Sequence, residues 1–260
     1  MASNLIQTHR SAGQSGRLVC AEGLGSRERR RMYQNLAHAF RNPLVTLTGN
    51  LDFLFQYSRG LTPEHQKQLV EVRDAALRMH QLVDHFLDVA SFDLGAVSTR
   101  ESSVELAGLL RRCAREMRAW ARASGVRFQI ALKSDPVYVK GDGAWLSSMI
   151  RSLLVYAVLS SSKKNVLRVE LCARARHAVL AVEDKGLQLS ANAGKIFRPF
   201  LIPRRPADGS RSDAGGGLEL ALVERIAKAH GGGVWAKACS SGGMQVGVRL
   251  LLQNSPSRRP

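Results

Sequence analysis

Apolar residues step along one early stretch of this 260-residue chain by three and four, and then, after a break, do so again. Leu36, Phe40, Leu44, Leu47, Leu51 and Leu54 form the first series; Leu69, Val72, Ala76, Met79, Val83 and Phe86 form the second. Steps of three and four place such positions on one face of a helix. Gly60 and Pro63 fall between the series, residue types that close one helix and open the next. Two long amphipathic helices joined by a short turn fold back as an antiparallel hairpin. One hairpin buries little by itself, so a second copy completing a four-helix bundle is its natural cover. Pro43 lies inside the first series and predicts a kink, because it removes a backbone donor and crowds the preceding turn.

Beyond the hairpin the pattern changes. A helix is predicted over 106–124, a strand over 127–132, a short strand at Tyr138 and Val139, and a strongly apolar helix over 145–159. Strands over 166–173 and 178–183 read as a hairpin, and Pro203 to Gly217 reads as a loop. A helix over 218–229 is stopped by Gly231 to Gly233, and strands over 233–238 and 245–251 close the chain. The fold class is α+β: a two-helix hairpin over 28–95, then a two-layer α/β sandwich over 104–253 with helices on a mixed sheet. Residues 1–27 read as a disordered arm and 254–260 as a loose tail.

Charge narrows the partners. Lys and Arg number 38 against 21 Asp and Glu, a formal net charge of +17. Such a balance suits an acidic partner, although an arginine-rich composition also follows from GC-rich coding. No helix reads as clustered basic residues interleaved with aromatics, so nucleic acid is not the expected partner. Cys20, Cys113, Cys172 and Cys239 have no paired spacing and predict free thiols rather than a zinc or disulfide framework. Neither an apolar run of membrane-spanning length nor a secretion signal stands out, which predicts a cytoplasmic chain without a membrane span. Trp120, Trp145 and Trp235 read as packing residues, and His80 and His85 as surface or dimer-packing residues. Asp142, in a Gly-Asp-Gly turn, reads as the cap of the following helix.

The segment Leu36-Ala37-His38-Ala39-Phe40-Arg41-Asn42-Pro43-Leu44 is the most informative. His38 lies two residues from Leu36 and Phe40, which turns it away from the stripe toward solvent. A His-x-x-Arg-x-Pro-Leu run on the first helix of a hairpin, followed by an α/β domain with glycine runs, resembles the sensor histidine kinases of two-component systems. The resemblance covers about 29 to 252. It implies that His38 accepts a phosphoryl group and exchanges it with an aspartate on a response-regulator receiver domain, with Arg41 and Pro43 in supporting places. It implies an ATP-binding role for the sandwich, and a homodimer or a heterodimer with another histidine kinase.

Several positions depart from the family pattern. The acidic residue that usually follows the histidine and serves as general base is Ala39, a loss worth a factor of about 10² to 10⁴. Asn42 retains the family's water-orienting amide. The Mg²⁺-binding asparagine aligns with Tyr156, and a phenol is a poor ligand for that ion; no metal ligand is assigned. The nucleotide residues implied are Asp184, Gly186, Phe197, Gly215 and Gly217, but Gln188 and Glu219 stand where the family has glycine. Glycines there let backbone N–H groups approach phosphate, and Glu219 adds bulk and charge. No cofactor is therefore counted on. The expected function is a phosphorelay protein working through His38, by transfer or by dephosphorylation, with weak or no autokinase activity. An active kinase with an atypical ATP site and a non-catalytic pseudokinase scaffold or heterodimer partner are the alternatives.

Overall fold

The computed structural model describes residues 26–57, 60, 62–95, 97, 99–161, 165–184, 193–199, 217–239 and 243–253. Of the predicted arm, only its last two residues fall within this range, and both are helical; the predicted tail lies outside it.

Helix α1, Ser26–Tyr57, continues through Pro43, and α2 spans Pro63–Asp93. The Thr62 hydroxyl accepts the His65 N–H at 3.2 Å, capping α2, and Pro63 takes the first helical position, where its missing N–H costs nothing. The two helices pack as a hairpin, but only part of the stripe is covered. Leu44, Leu51 and Ala76 are buried, whereas Phe40 is 49% exposed and Met79 50%, with Leu47, Leu54 and Val72 similarly open. The apolar face is wider than one neighbouring helix can cover.

The second unit begins with β1 (Ser102–Glu105), two residues before its predicted start. Polar Ser102 and Ser103 hide this strand from a hydrophobicity reading; its pairing with β3 (Tyr138–Gly141) defines it. Between them run α3 (Leu106–Ala123) and β2 (Arg127–Leu132). Then follow α4 (Gly143–Ser160), β4 (Val166–Arg174), β5 (His177–Asp184), a 3₁₀ turn (Ala193–Phe197), α5 (Glu219–Ala229), β6 (Gly233–Ala238) and β7 (Met244–Leu251). The five-stranded sheet has the order β2-β4-β5-β7-β6, with β2 parallel to β4 and the other pairs antiparallel. Helices α3, α4 and α5 bury their apolar faces with Leu167, Val169, Leu180, Val246 and Val248 of the sheet in one core.

Side chains cap the core helices. Glu105 accepts the N–H groups of Ala107 and Gly108 at 2.7 and 2.6 Å, and Asp142 accepts those of Ala144 and Trp145, as its turn predicts. His230 at the end of α5 accepts the Asp142 N–H through Nε2 at 3.0 Å and sits 2.7 Å from the Ile226 carbonyl through Nδ1. That pairing selects the Nδ1-protonated tautomer and ties α5 to the β3–α4 turn.

By length and composition α4 could cross a membrane. Here it is the central core helix: Leu146, Met149, Ile150, Leu153 and Leu154 are each at most 1% exposed. Burying such side chains contributes about 1.5–3 kcal/mol apiece. Trp145 packs edge-on against Phe92 of α2, with ring centroids 4.7 Å apart, and Trp235 packs on Gly247. Trp120 departs from its packing assignment and is 39% exposed, because it lies on the outer face of α3. That helix carries Arg111, Arg112, Arg115, Arg118 and Arg122, all exposed, so a basic face with an aromatic beside it does exist. Cys113, Cys172 and Cys239 are free thiols.

Candidate functional site

His38 stands exposed on α1, and Asn42, one turn later, is exposed as well. Residues four apart are neighbours on one helix face. Between them Arg41 turns toward α2, where its Nε donates to Asp84 Oδ1 at 2.6 Å. His80 Nε2 lies 3.5 Å from the other Asp84 oxygen. Asp88, one turn further, has its carboxyl pushed up to about 6, chiefly by burial and then by the neighbouring Asp84 charge, with Arg41 opposing. Residues 80, 84 and 88 are spaced by four and share a face of α2. Sequence reasoning passed over this acidic strip; the spacing was its only signal. Its chemical consequence is an Arg41 held in place beside His38, a cation within a turn of any phosphoryl group there. Pro43 is exposed on the same helix.

The sandwich positions the other assigned residues. Asp184 is the last residue of β5, in register with Met244 of β7. Phe197 closes the 3₁₀ turn and is buried. Gly217 takes φ +69°, a left-handed conformation suited to glycine, two residues before α5 begins. Gly186, Gln188 and Gly215 lie outside the described residues.

Two positions show what occupies this end of the sandwich. Tyr156 on α4 is 7% exposed and lines, with Leu153, Ala157, Val182, Met244, Val246 and the single polar residue Ser160, a cavity of about 10 Å³. Glu219, the first residue of α5, is 5% exposed, and burial pushes its carboxyl up to about 7. Its Oε1 lies 3.9 Å from Nδ1 of His85 on α2, an imidazole whose own value burial lowers, with Asp84 opposing. Burial drives both groups toward their neutral forms, which weakens ion pairing across this contact. His85 is thus an interdomain residue, not a free surface one. Arg225 of α5 also reaches Asp93 of α2 with two hydrogen bonds, at 3.0 and 3.2 Å. Helices α2 and α5 thereby join the hairpin to the sandwich. Among the described residues no group of three or more His, Cys, Asp or Glu is placed to hold a metal ion.

Residues 28–95 match the family model of the His Kinase A phospho-acceptor domain, and residues 141–254 match that of the histidine kinase-, DNA gyrase B-, and HSP90-like ATPases. The chain belongs to the two-component histidine kinases. Sensor protein kinase PmrB of Pseudomonas aeruginosa is 29% identical over 234 residues, covering 89% of this chain and 47% of that protein. The histidine-protein kinase BaeS of Escherichia coli is 26% identical over 231 residues, 88% of this chain and 48% of its own length. The signal transduction histidine-protein kinase/phosphatase MprB of Mycolicibacterium vanbaalenii is 27% identical over 242 residues, 89% of this chain and 48% of its own. The chain therefore spans about half the length of these histidine kinases. Full-length ShkA, crystallised in complex with AMPPNP, shares the fold with a TM-score of 0.70 at 23% identity, over 88% of this chain and 47% of that one. The ATPase-type match weighs for a nucleotide site in this histidine kinase, against the sequence expectation that none be counted on.

Proposed function

We propose that this histidine kinase family member works through His38 on a response-regulator receiver domain, by phosphotransfer or dephosphorylation, and forms little or no phosphohistidine from ATP. The observation that carries this reading is Glu219, a buried carboxyl at the start of α5 where the family's glycine would face phosphate. A helix N-terminus attracts anions through its free N–H groups; filling that place with a carboxyl set against His85 opposes a polyphosphate. Tyr156 supports the same reading. Its ring lies in an apolar lining at the position where the family coordinates Mg²⁺, which prefers small oxygen ligands in octahedral array. On these two residues Mg²⁺ and ATP do not fit, and phosphoryl exchange with a receiver requires neither.

Transfer from a receiver does not need that site. The lone pair of a His38 ring nitrogen attacks the phosphorus of the receiver's acyl phosphate. An N–P bond forms, the P–O bond to the aspartate breaks, the carboxylate leaves, and the ring N–H proton passes to solvent. The acyl phosphate is already activated, so positioning supplies much of the catalysis. Arg41, fixed by Asp84, offers charge to the phosphoryl oxygens. In the hydrolytic direction the exposed Asn42 amide holds a water for attack on the receiver's phosphoryl group. The open hairpin face supports a homodimer, or a heterodimer with another histidine kinase, as the working form.

The ATPase-type match of residues 141–254 favours a second reading, an active kinase with an atypical site. Incubation with γ-labelled ATP and Mg²⁺, and separately with a labelled phospho-receiver domain, distinguishes the two. The first reading expects acid-labile label on His38 from the receiver, or its release as phosphate, and none from ATP. Label from ATP that disappears in His38→Ala establishes the kinase. Inertness toward both donors leaves only a scaffold.

A further inference from the structure

On α3, Arg111, Arg115, Arg118 and Arg122 recur at four, three and four residues and so form one stripe. The stripe walls a groove of about 310 Å³ whose other side is β2, with Arg127 also lining it. Arg111 is paired with Asp135, but Arg115, Arg118, Arg122 and Arg127 have no ion-pair partner among the described residues. Four exposed guanidiniums along one groove repel one another unless something anionic lies between them.

The other wall is of a different kind. β2 ends the sheet and pairs only with β4 among the described strands. The N–H groups of Arg127 and of Lys133, just beyond β2, donate toward β4 and the segment before it, to the carbonyls of Asn165 and Leu171. By the alternation of a strand, the N–H and C=O groups of Phe128 and Ile130 face the free edge. The half-buried Phe128 and Ile130 side chains, with Ala114 and Ala121 of α3, make the groove floor apolar. A row of unpaired backbone groups above an apolar floor is a template for an added strand.

We infer that the α3–β2 groove docks an extended acidic segment of a partner protein, which adds as a strand to the free edge of β2 and sets its carboxylates against the arginine stripe. The spacings agree. Helical rise separates the successive arginines by about 6, 4.5 and 6 Å, and alternate side chains of an extended strand lie about 6.7 Å apart. Alternate side chains of the guest then fall on the α3 side of the sheet, where carboxylates meet the arginine stripe beside Phe128 and Ile130, while the side chains between them face the other side. Single-stranded nucleic acid would meet the same charge but leave the free N–H and C=O groups unused, and Trp120 does not line the groove. Neither residues 1–25 nor residues 254–260 have the acidity of such a guest. Residues 1–25 contain one carboxylate side chain, Glu22, and residues 254–260 contain none.

The test uses the full chain and a fluorescent synthetic peptide of alternating Glu and Val, with anisotropy as the readout. The triple variant Arg115→Glu/Arg118→Glu/Arg122→Glu alters only exposed positions, and circular dichroism checks its fold. The inference expects saturable binding that the triple variant weakens at least about tenfold, and that N-methylation of alternate peptide amides abolishes. Failure of the peptide to bind, equal binding by the triple variant, or equal binding of the N-methylated peptide overturns it. Displacement of the peptide by lower concentrations of single-stranded DNA or anionic phospholipid vesicles also overturns it, and makes the groove a general polyanion surface.

Discussion

Glu219 occupies a site where a carboxyl must either keep its proton or stand charged in a dry setting, and this fixes the sign of its pH effect. Its folded value of about 7 lies above the ordinary 4.5, so the fold binds the proton more tightly than the unfolded chain does. Stability is therefore full below the ordinary value and falls as pH rises from about 4.5 to about 7. Glu219→Gln should flatten that decline by roughly 3 kcal/mol. Urea unfolding of wild type and variant at pH 5 and pH 8 checks it, and parallel behaviour of the two would refute the assignment. Tyr156 carries a prediction of the opposite sense. Tyr156→Asn, which restores the family's residue type, should cost about 2–4 kcal/mol, because it replaces a buried ring with an amide in an apolar lining. A variant as stable as wild type in a urea titration would mean that the site can open to a polar ligand.

At the scale of elements, the hairpin's two helices are bridged by a contact one turn from His38. The Arg41–Asp84 pair is more than a third exposed on both sides, so its loss should change stability by less than about 1 kcal/mol. Asp84→Asn should nevertheless slow phosphoryl exchange with a receiver, since it frees Arg41 to leave the neighbourhood of His38. Thermal melts and single-turnover transfer, measured on the same preparation, separate the two effects. In the sheet, Gly247 of β7 gives its Cβ space to the Trp235 ring of β6. Gly247→Ala should cost about 1–3 kcal/mol by overpacking, visible as a lowered Tm. What the sequence revealed at this scale follows from period. The helices and strands of strong apolar periodicity, from Leu36 through Leu251, were legible within a few residues. Strand β1 was not, because its identity comes from pairing with β3 rather than from its own side chains. The α3 arginines were visible as residues, but their alignment along one groove depends on where β2 lies.

For the whole molecule, the hairpin leaves a run of apolar side chains uncovered among the described residues. Leu36, Phe40, Leu47, Leu54, Val72, Leu77 and Met79 are all exposed in a single copy. The protein should sediment as a dimer, and Phe40→Glu/Leu47→Glu should sediment as a monomer; a monomeric wild type would remove the bundle from the account. His38 and its neighbours were legible because they are contiguous in sequence and reactive by type. The His85–Glu219 and Asp93–Arg225 contacts were not, since each joins residues more than a hundred positions apart. That separation has a hereditary consequence. A nucleotide-loop position that would otherwise drift on its own is joined through Glu219 to a position on the helix of another domain. Descendants of this chain that regain glycine at 219 leave the His85 imidazole facing an empty niche, and those that lose His85 leave a buried carboxyl without its neighbour. The two sites should change together along a lineage, so that restoring the family's glycine at 219 takes paired substitutions rather than one.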